Sequence, residues 1–457
     1  MTKKIAIYGG SFNPPRVAHR LIVEMVAREF DEVIIIPCGP RPDKPTVNDI
    51  DPVHRATMVD MAFSGLPNVR VELFDLEMGT FTRTHNLDAM FRGGGEIWHI
   101  VGADLIKGGN EGRSFIQREW ERGEEIWREL NFAVVYRQGI EMADRDLPPR
   151  SRVFYEAFTG SSSETREKVF RRESVEGLVD RKINDYILRH GLYRGARISG
   201  RSQLVLSEVR PKVLFDGRNP KAEEFVRVSG LRDSSHPNLI TVIGGDGFML
   251  HAIRSHWRER LPFFGINKGT HGFLMNDPES PAVRELLSGS LSVDLDQMPL
   301  LYVEITDAGG MTKRALAFND VWVERGAGQT AWIELEIDGV RRIPLLVADG
   351  ILAATPAGST AYAKAMGALA VPVHAPVLTL VGSNVARPNW KATQITLDST
   401  VTWRTLDPVK RPLNGFVDGA DQGPVIEMKI RRSRIAAAEL ATPPDRAEKI
   451  MSSQFPG

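Results

Sequence analysis

The sequence is poor in the features that would place it outside a reducing, aqueous compartment. One cysteine, Cys38, stands among 457 residues, which excludes an intramolecular disulfide and a cysteine-rich zinc site. The plainer reading of Cys38 is a small buried apolar residue after a strand. An excess of one charge is also missing: Lys+Arg and Asp+Glu both number 58, so no global basic field draws the chain to nucleic acid or to an anionic membrane. Long hydrophobic runs are absent. Two lysines precede only a short apolar stretch before Gly9 and Gly10, too brief for a signal-peptide core. The most apolar later stretch, Ala368 to Gly382, is interrupted by Pro372, His374 and Pro376 and is shorter than a membrane span. There is no internal repeat and no low-complexity tract. These absences predict a cytoplasmic protein whose partners are small molecules, with neither nucleic acid nor membrane among them.

A chain of 457 residues exceeds the ~250–300 at which a single core stops growing, so two or three domains are expected. The first third alternates strand-like and helix-like runs: Ile5 to Tyr8, a helix His19 to Phe30, then Val33 to Pro37. In that helix Leu21, Ile22, Met25 and Val26 share one face, while Arg20, Glu24 and Arg28 fall elsewhere, as an amphipathic helix on a sheet requires. Glu96 to Val101 and Asn131 to Tyr136 continue the strands of a parallel sheet. Gly191 to Ser202, after the helical run Val179 to Arg189, lacks apolar periodicity and reads as a linker. Beyond it Val213 to Phe215 opens another α/β part, in which Leu239 to Ile243 runs into Gly244-Gly245-Asp246-Gly247 and a helical stretch Met249 to Trp257. From about Leu300 the pattern alternates strictly, with Ile333, Leu335 and Ile337 against Glu334 and Glu336, then a turn at Asp338-Gly339. The expected fold class is α/β: a doubly wound, Rossmann-like domain over 1–196, then a domain over 197–457 with an α/β part at about 203–299 and a β-rich part at 300–435.

Two stretches carry chemistry. In the first, Gly9-Gly10-Ser11-Phe12-Asn13-Pro14-Pro15-Arg16-Val17-Ala18-His19 joins a strand to a helix. Glycines there let backbone N–H groups approach phosphates, and the helix N-terminus adds positive potential; an ordinary Gly-rich βα turn is the plainer reading. The segment resembles the GSFNPxHxGH signature of nicotinate/nicotinamide mononucleotide adenylyltransferases. Further family segments follow in order: Pro37 to Lys44, Thr84, Gly102-Ala103-Asp104, Trp120 with Trp127, Val134 to Arg137, and Ser161-Ser162-Ser163-Glu164-Thr165-Arg166, with a tail from Asp185 to Tyr193. The resemblance implies attack of a mononucleotide phosphate on the α-phosphate of ATP, with Mg²⁺ carried by the nucleotide. By motif position Gly9, Gly10, Ser11, Phe12, Arg16, His19, Lys44, Ser162, Ser163 and Arg166 would hold ATP, with His19 and Arg166 catalytic. Thr84, Gly102, Asp104 and Trp120 would line the mononucleotide side, the indole offering a stacking face. The plainer readings are a helix-core pair for Trp120 and Trp127, a solvated charge for Arg166, and for Asp104 a cap on a helix beginning at Leu105. One departure stands out: Arg16 replaces the first histidine of HxGH and Ala18 the glycine. A guanidinium can still bind phosphate bidentately.

In the second stretch an apolar strand ends in Gly244 to Gly247, where Asp246 could order Mg²⁺ or accept a hydroxyl proton; a D-G surface turn is the plainer reading. The later segments Gly265 to Leu274, Asn319-Asp320, Asp349-Gly350, Thr355 to Tyr362 and Val417-Asp418-Gly419 complete a pattern that resembles NAD kinases. The resemblance implies phosphoryl transfer from ATP to the 2′-hydroxyl of the adenosine ribose of NAD, with Asp246 catalytic. Asp246, Gly247, Asn319, Asp320, Asp349, Thr360, Ala361 and Tyr362 would contact NAD, Asp320 being a short acid where the family carries Glu. Phe248 replaces the Thr of GGDGT, and His271 stands where Leu is usual and reads as an ordinary loop histidine; no metal-ligand set is expected. The resemblance admits a homo-oligomer through the kinase half. Three readings follow: a bifunctional enzyme, a kinase with a regulatory nucleotide-binding front domain, and a non-catalytic pyridine-nucleotide sensor.

Overall fold

A computed structural model describes residues 2–41, 50–137, 144–156, 160–195, 201–270, 272 and 274–442. The chain divides into two compact units, Met1–Arg197 and Ile198–Gly457. In the first, the elements run β1 Lys4–Gly10, α1 Val17–Val26, β2 Glu32–Pro37, α2 Pro52–Phe63, β3 Val69–Val71, α3 Phe74–Met78, α4 Thr84–Phe91, β4 Glu96–Gly102, α5 Phe115–Glu119, α6 Gly123–Glu129, β5 Asn131–Arg137, β6 Ser151–Glu156, α7 Ser162–Phe170 and α8 Arg181–Arg189. The six strands lie in the order β3-β2-β1-β4-β5-β6, and every pairing is parallel. This is the doubly wound arrangement expected from the sequence. Both faces of such a sheet are covered, so its strands read as continuous apolar runs; in β2, Val33 to Pro37 are all buried.

The helices depart from expectation in detail. The first spans Val17–Val26 and buries Ile22, Val23 and Val26, whereas Leu21 is 38% exposed. Helix α2, started by Asp51, whose carboxylate accepts from the Val53 N–H at 3.1 Å, is buried on nearly every side and shows little amphipathic pattern. Leu105 ends a 3-10 turn, Ala103–Leu105, and begins no helix. Trp127 is core on α6, but Trp120 sits in extended backbone just past α5.

The second unit runs β7 Arg201–Leu206, β8 Pro211–Phe215, α9 Pro220–Ser229, β9 Leu239–Gly244, α10 Asp246–His256, β10 Phe263–Asn267, α11 Pro281–Leu287, β11 Leu291–Thr306, β12 Thr312–Ala317, β13 Asp320–Arg325, β14 Ala331–Ile337, β15 Val340–Ala348, β16 Gly350–Ala354, α12 Tyr362–Ala365, β17 Val377–Ser383, β18 Thr393–Thr396, β19 Val401–Thr405, β20 Leu413–Val417, β21 Ala420–Val425 and β22 Glu427–Thr442. Strand β7 thus takes the last residues of the stretch read as a linker. Strands β8, β9 and β10 are parallel. The long strands β11 and β22 pair with each other and carry the same sheet through into the β-rich part. The second sheet, β18-β17-β16-β13-β20-β21, packs on it. Between them lies a core that includes Leu301, Val321, Ile351, Leu380, Trp403 and Val417, the arrangement of a β-sandwich. The Asp338-Gly339 turn is present, both residues at positive φ, 52° and 75°, as a tight hairpin requires.

Alternation fails at Glu334, which is 8% exposed. Its carboxylate pairs with Arg404 at 3.1 Å and Arg341 at 2.7 Å, because the outer face of β14 is covered by long basic side chains from its sheet neighbours β15 and β19. Among the described residues no helix is long and apolar enough to cross a membrane. Trp403, 1% exposed in the sandwich core, anchors the second unit. Trp403→Ala is expected to cost about 3–5 kcal/mol, read as a lower urea midpoint; an unchanged midpoint would remove Trp403 from the core.

Candidate functional site

In a doubly wound sheet ligands bind outside the carboxyl ends of the strands where the strand order reverses, here between β1 and β4. Gly9 and Gly10 end β1, Gly102 ends β4, and the turn Ser11 to Arg16 leads into α1. The backbone N–H of Arg16 donates to His19 Nδ1 at 2.9 Å, which leaves the ring proton of the neutral imidazole on Nε2. Tyr8 and Phe12 flank that ring, with centroids 6.3 and 5.3 Å away. Helix α7 is capped by Ser161, whose hydroxyl accepts from the Glu164 N–H at 3.1 Å, and its first turn is tied to the same loop. Ser162 Oγ donates to the Pro14 carbonyl at 3.0 Å, and Arg166 donates to the Asn13 carbonyl at 2.7 Å and to Ser163 Oγ at 3.2 Å. Tyr193, in the tail of the motif series, donates to Asn13 Oδ1 at 2.7 Å.

Arg16, expected among the ATP contacts, turns inward. It is 7% exposed, and its guanidinium donates to the Gly160 carbonyl just before α7. Lys44 lies outside the described residues. A cavity of about 220 Å³ beside the turn is lined by Gly9, Gly10, Phe81, Thr84, His99 and Trp120, among others. Thr84 and Trp120 therefore face one space, while Asp104 is exposed on the 3-10 turn after β4.

A residue missed in the sequence lies under the turn. Arg55, on α2, is 1% exposed. Its Nε and Nη2 donate to the Ser11 carbonyl at 3.2 and 2.8 Å, and Nη2 also donates to the Cys38 carbonyl at 2.6 Å. Burial lowers its pKa. The one available signal was a lone arginine within the apolar run of α2.

In the second unit, Gly244 ends β9 and Gly245 precedes α10, which begins with Asp246. The half-buried Asp246 accepts the Leu274 N–H on Oδ1 at 2.9 Å. Phe248, where the family carries Thr, packs its ring over Gly244. His271 and Phe273, in the same loop as Leu274, lie outside the described residues. One cluster of apolar side chains includes Met249 of α10, Leu274, Phe318 and Ala357, so the GGDG helix, the loop after β10, the Asn319-Asp320 pair and the Thr355 to Tyr362 segment meet.

Polar contacts fix that meeting. The Asp418 carboxylate accepts three successive backbone N–H groups, from Phe318, Asn319 and Asp320, at 2.8, 2.8 and 3.1 Å. Thr355 Oγ1 donates to the Phe318 carbonyl at 2.7 Å, and the Thr355 N–H to the Asn319 carbonyl at 2.8 Å. Gly358 is required by close approach: a Cβ there would stand 2.2 Å from the Asn319 carbonyl oxygen. From α10, Arg254 reaches the Asp418 carbonyl at 3.4 Å. Asp320 is 4% exposed, and burial, then the charge of Asp418, pushes its pKa up to about 7. Burial raises Asp418 too, against the three N–H bonds that favour its anion.

The residues expected around NAD divide into two groups. Strand register pairs Asp320 with Ala354 and Glu324 with Gly350, so Asp349, one residue beyond, lies roughly 16 Å along the paired strands from that end at a strand's rise. There it pairs with Arg325 at 2.8 Å and accepts from Asn384 at 2.8 Å. Asp349 and Tyr362 line a separate cavity of about 500 Å³, beside Trp322, which stacks on Phe416 at 4.9 Å. Thr360 and Ala361 precede Tyr362 on the 3-10 turn Gly358–Thr360 and its end.

A cytidylyltransferase-like family model matches residues 7–168. An NAD kinase from Rhizobium meliloti is 32% identical over 237 residues, covering 51% of this chain and 91% of the relative. Another from Cereibacter sphaeroides is 33% identical over 243 residues, covering 52% of this chain and 94% of the relative.

Asp320 supplies a test of the second unit's electrostatics. Its folded pKa, about 7, stands above the ordinary value of 3.8. Its contribution to stability is therefore fully present below about pH 4 and is lost as pH rises through about 7. Asp320→Asn should gain in thermal midpoint over the wild type as pH is raised from 5 to 8. Parallel midpoint curves would mean that the carboxyl titrates like a surface group.

Proposed function

The chain belongs to the NAD kinase family, and from that premise we propose that its second unit transfers the γ-phosphoryl group of MgATP to the 2′-hydroxyl of the adenosine ribose of NAD. The ribose oxygen bonds to the γ-phosphorus, the bond to the β-phosphate oxygen breaks, and ADP and NADP leave. Asp246 takes the hydroxyl proton or orders the Mg²⁺ that arrives with ATP. The observation that carries this reading is the convergence of four motif segments on residues 318–320, where Asn319 and Asp320 can hydrogen-bond the dinucleotide. Thr360 and Ala361 belong to the segment that meets Asn319, and Asp349 and Tyr362, in the separate cavity, would contact another part of the dinucleotide.

For the first unit, a cytidylyltransferase-like domain, the proposal is adenylyl transfer. A phosphate oxygen of nicotinate or nicotinamide mononucleotide attacks the α-phosphorus of MgATP, and pyrophosphate leaves. The turn Gly9 to Phe12, His19 with its proton on Nε2, and Ser162, Ser163 and Arg166 at the start of α7 would hold the triphosphate, with cations offsetting charge on the transferring group. Arg16 supports this site indirectly, by fastening the segment at Gly160 to α1. Thr84, Gly102, Asp104 and Trp120 would serve the mononucleotide.

The full-length protein, incubated with MgATP and either mononucleotide or NAD, tests both activities, with products identified by mass. NADP from NAD and a dinucleotide from a mononucleotide are expected. NADP alone would leave the first unit a regulatory nucleotide-binding module. Asp246→Asn is nearly isosteric yet cannot accept the proton, so NADP formation should fall by at least ~100-fold while dinucleotide synthesis persists. Substantial NADP formation by that variant would take Asp246 out of the mechanism.

A further inference from the structure

The wall of the cavity of about 220 Å³ in the first unit includes a histidine, backed by a buried carboxylate, that neither proposed reaction uses. His99, on β4, lines it and is 4% exposed; Asp88, on α4, is 3% exposed. His99 Nε2 stands 3.3 Å from Asp88 Oδ1. Around them the wall is mainly apolar, with Ile7, Phe81, Leu87 and Trp120, and the Phe132 ring packs 6.4 Å from the imidazole. The burial of Asp88 would raise its pKa, but hydrogen bonds from His99 and Arg92 outweigh that and hold it below the usual carboxylate range.

An ionised carboxylate only accepts hydrogen bonds, so Nε2 carries the shared proton, and in the neutral imidazole Nδ1 is then an acceptor. The remaining charged groups of the wall are Arg41, Asp75, Arg83, Glu119 and Glu121. Asp75 accepts from Thr80 at 3.0 Å and from the Thr82 N–H and hydroxyl at 3.0 and 2.6 Å. Arg83 pairs with Glu121 at 3.5 Å. The Arg41 and Arg83 guanidinium groups lie over the Phe81 ring at 5.1 and 5.0 Å, and Glu119 lines the wall.

We infer that the His99–Asp88 pair sets which pyridine substituent the cavity accepts, favouring a carboxamide over a carboxylate. A carboxamide N–H donates to Nδ1. A carboxylate sets lone pair against lone pair there. A site built to accept a hydrogen bond rejects the analogue that cannot donate one. The inference rests on the reading that this cavity holds a pyridine mononucleotide, and it makes nicotinamide mononucleotide the preferred substrate. Its adenylylated product is NAD itself, the substrate proposed for the second unit.

The test compares nicotinamide with nicotinate mononucleotide in the full-length chain, both as kcat/KM with MgATP and as binding by calorimetry without ATP. The wild type should prefer the amide by roughly tenfold or more. In Asp88→Asn the new amide can donate to Nε2, which moves the ring proton to Nδ1, so the preference should swing toward the acid. His99→Leu should lose the discrimination. A structural role alone would change both substrates together and leave their ratio fixed. Should His99→Leu fail to fold, the nearly isosteric Asp88→Asn still decides. A binding preference that Asp88→Asn reverses, without dinucleotide synthesis, would uphold the pair and overturn adenylyl transfer. A ratio unchanged in Asp88→Asn, a wild-type preference for the acid, or binding of neither mononucleotide would overturn the inference.

Discussion

The second unit is organised around the Asp418 carboxylate, which gathers three successive amides at Phe318, Asn319 and Asp320. Those amides precede or open β13 and would otherwise need partners where water is excluded. Once they point at Asp418, their carbonyls face the other way, and Thr355 takes two of them. That brings in the segment with Gly358, whose lack of a side chain lets the two backbones meet. Phe318 then enters the apolar cluster with Met249 and Leu274, and the Leu274 N–H in turn fixes the carboxylate of Asp246. Removing the Asp418 acceptor would orphan three donors at once, a larger penalty than the loss of one ordinary hydrogen bond.

The first unit meets the same need with a cation. Arg55 holds the Ser11 and Cys38 carbonyls, at the turn after β1 and the loop after β2. A guanidinium this deep is costly unless its hydrogens are satisfied, and main-chain oxygens satisfy them without cancelling the charge. The Asn13 carbonyl and side chain, held by Arg166 and Tyr193, lock the same turn to α7 and to the tail beyond α8. The shape of the turn is therefore imposed from several elements distant in sequence, which is why a short glycine motif taken alone says so little.

Much of the fold was legible because burial writes itself into period. Strands covered on both faces, such as β2 and β9, appear as unbroken apolar runs, and the doubly wound order follows from strands alternating with helices. Where burial is not periodic the sequence misled or stayed silent. Helix α2 is buried almost all round, so no stripe marks it and Arg55 passed unnoticed. Glu334 looked solvent-facing because alternation cannot foresee basic side chains arriving from neighbouring strands. Motifs identified segments but not distances. Asp349 belongs to the same pattern as Asn319 yet stands at the opposite end of the β13–β16 strand pair, and Asp418 was visible within its motif without any hint of the three amides it collects. The inward turn of Arg16 depended on a carbonyl at Gly160, 144 residues away.

The two units invert one another electrostatically, and the inversion matches the ligands proposed for them. Beneath the turn after β1 the inward charge is positive and is held by carbonyls, so the field that remains favours a polyanion whose own oxygens need no protein proton. Beside β13 the inward charge is negative and is held by amides, next to Asp320, a second acid that titrates near 7. Such a pair suits ribose hydroxyls, which donate protons and carry no charge, and disfavours a phosphate in the same place. The short side chain of Asp320 sharpens this. A longer acid would extend its carboxylate away from the backbone that Asp418 holds, whereas aspartate keeps the two carboxyls close enough for one to raise the other. Substituting Asp for Glu at this position thus changes when the acid is charged as well as how far it reaches.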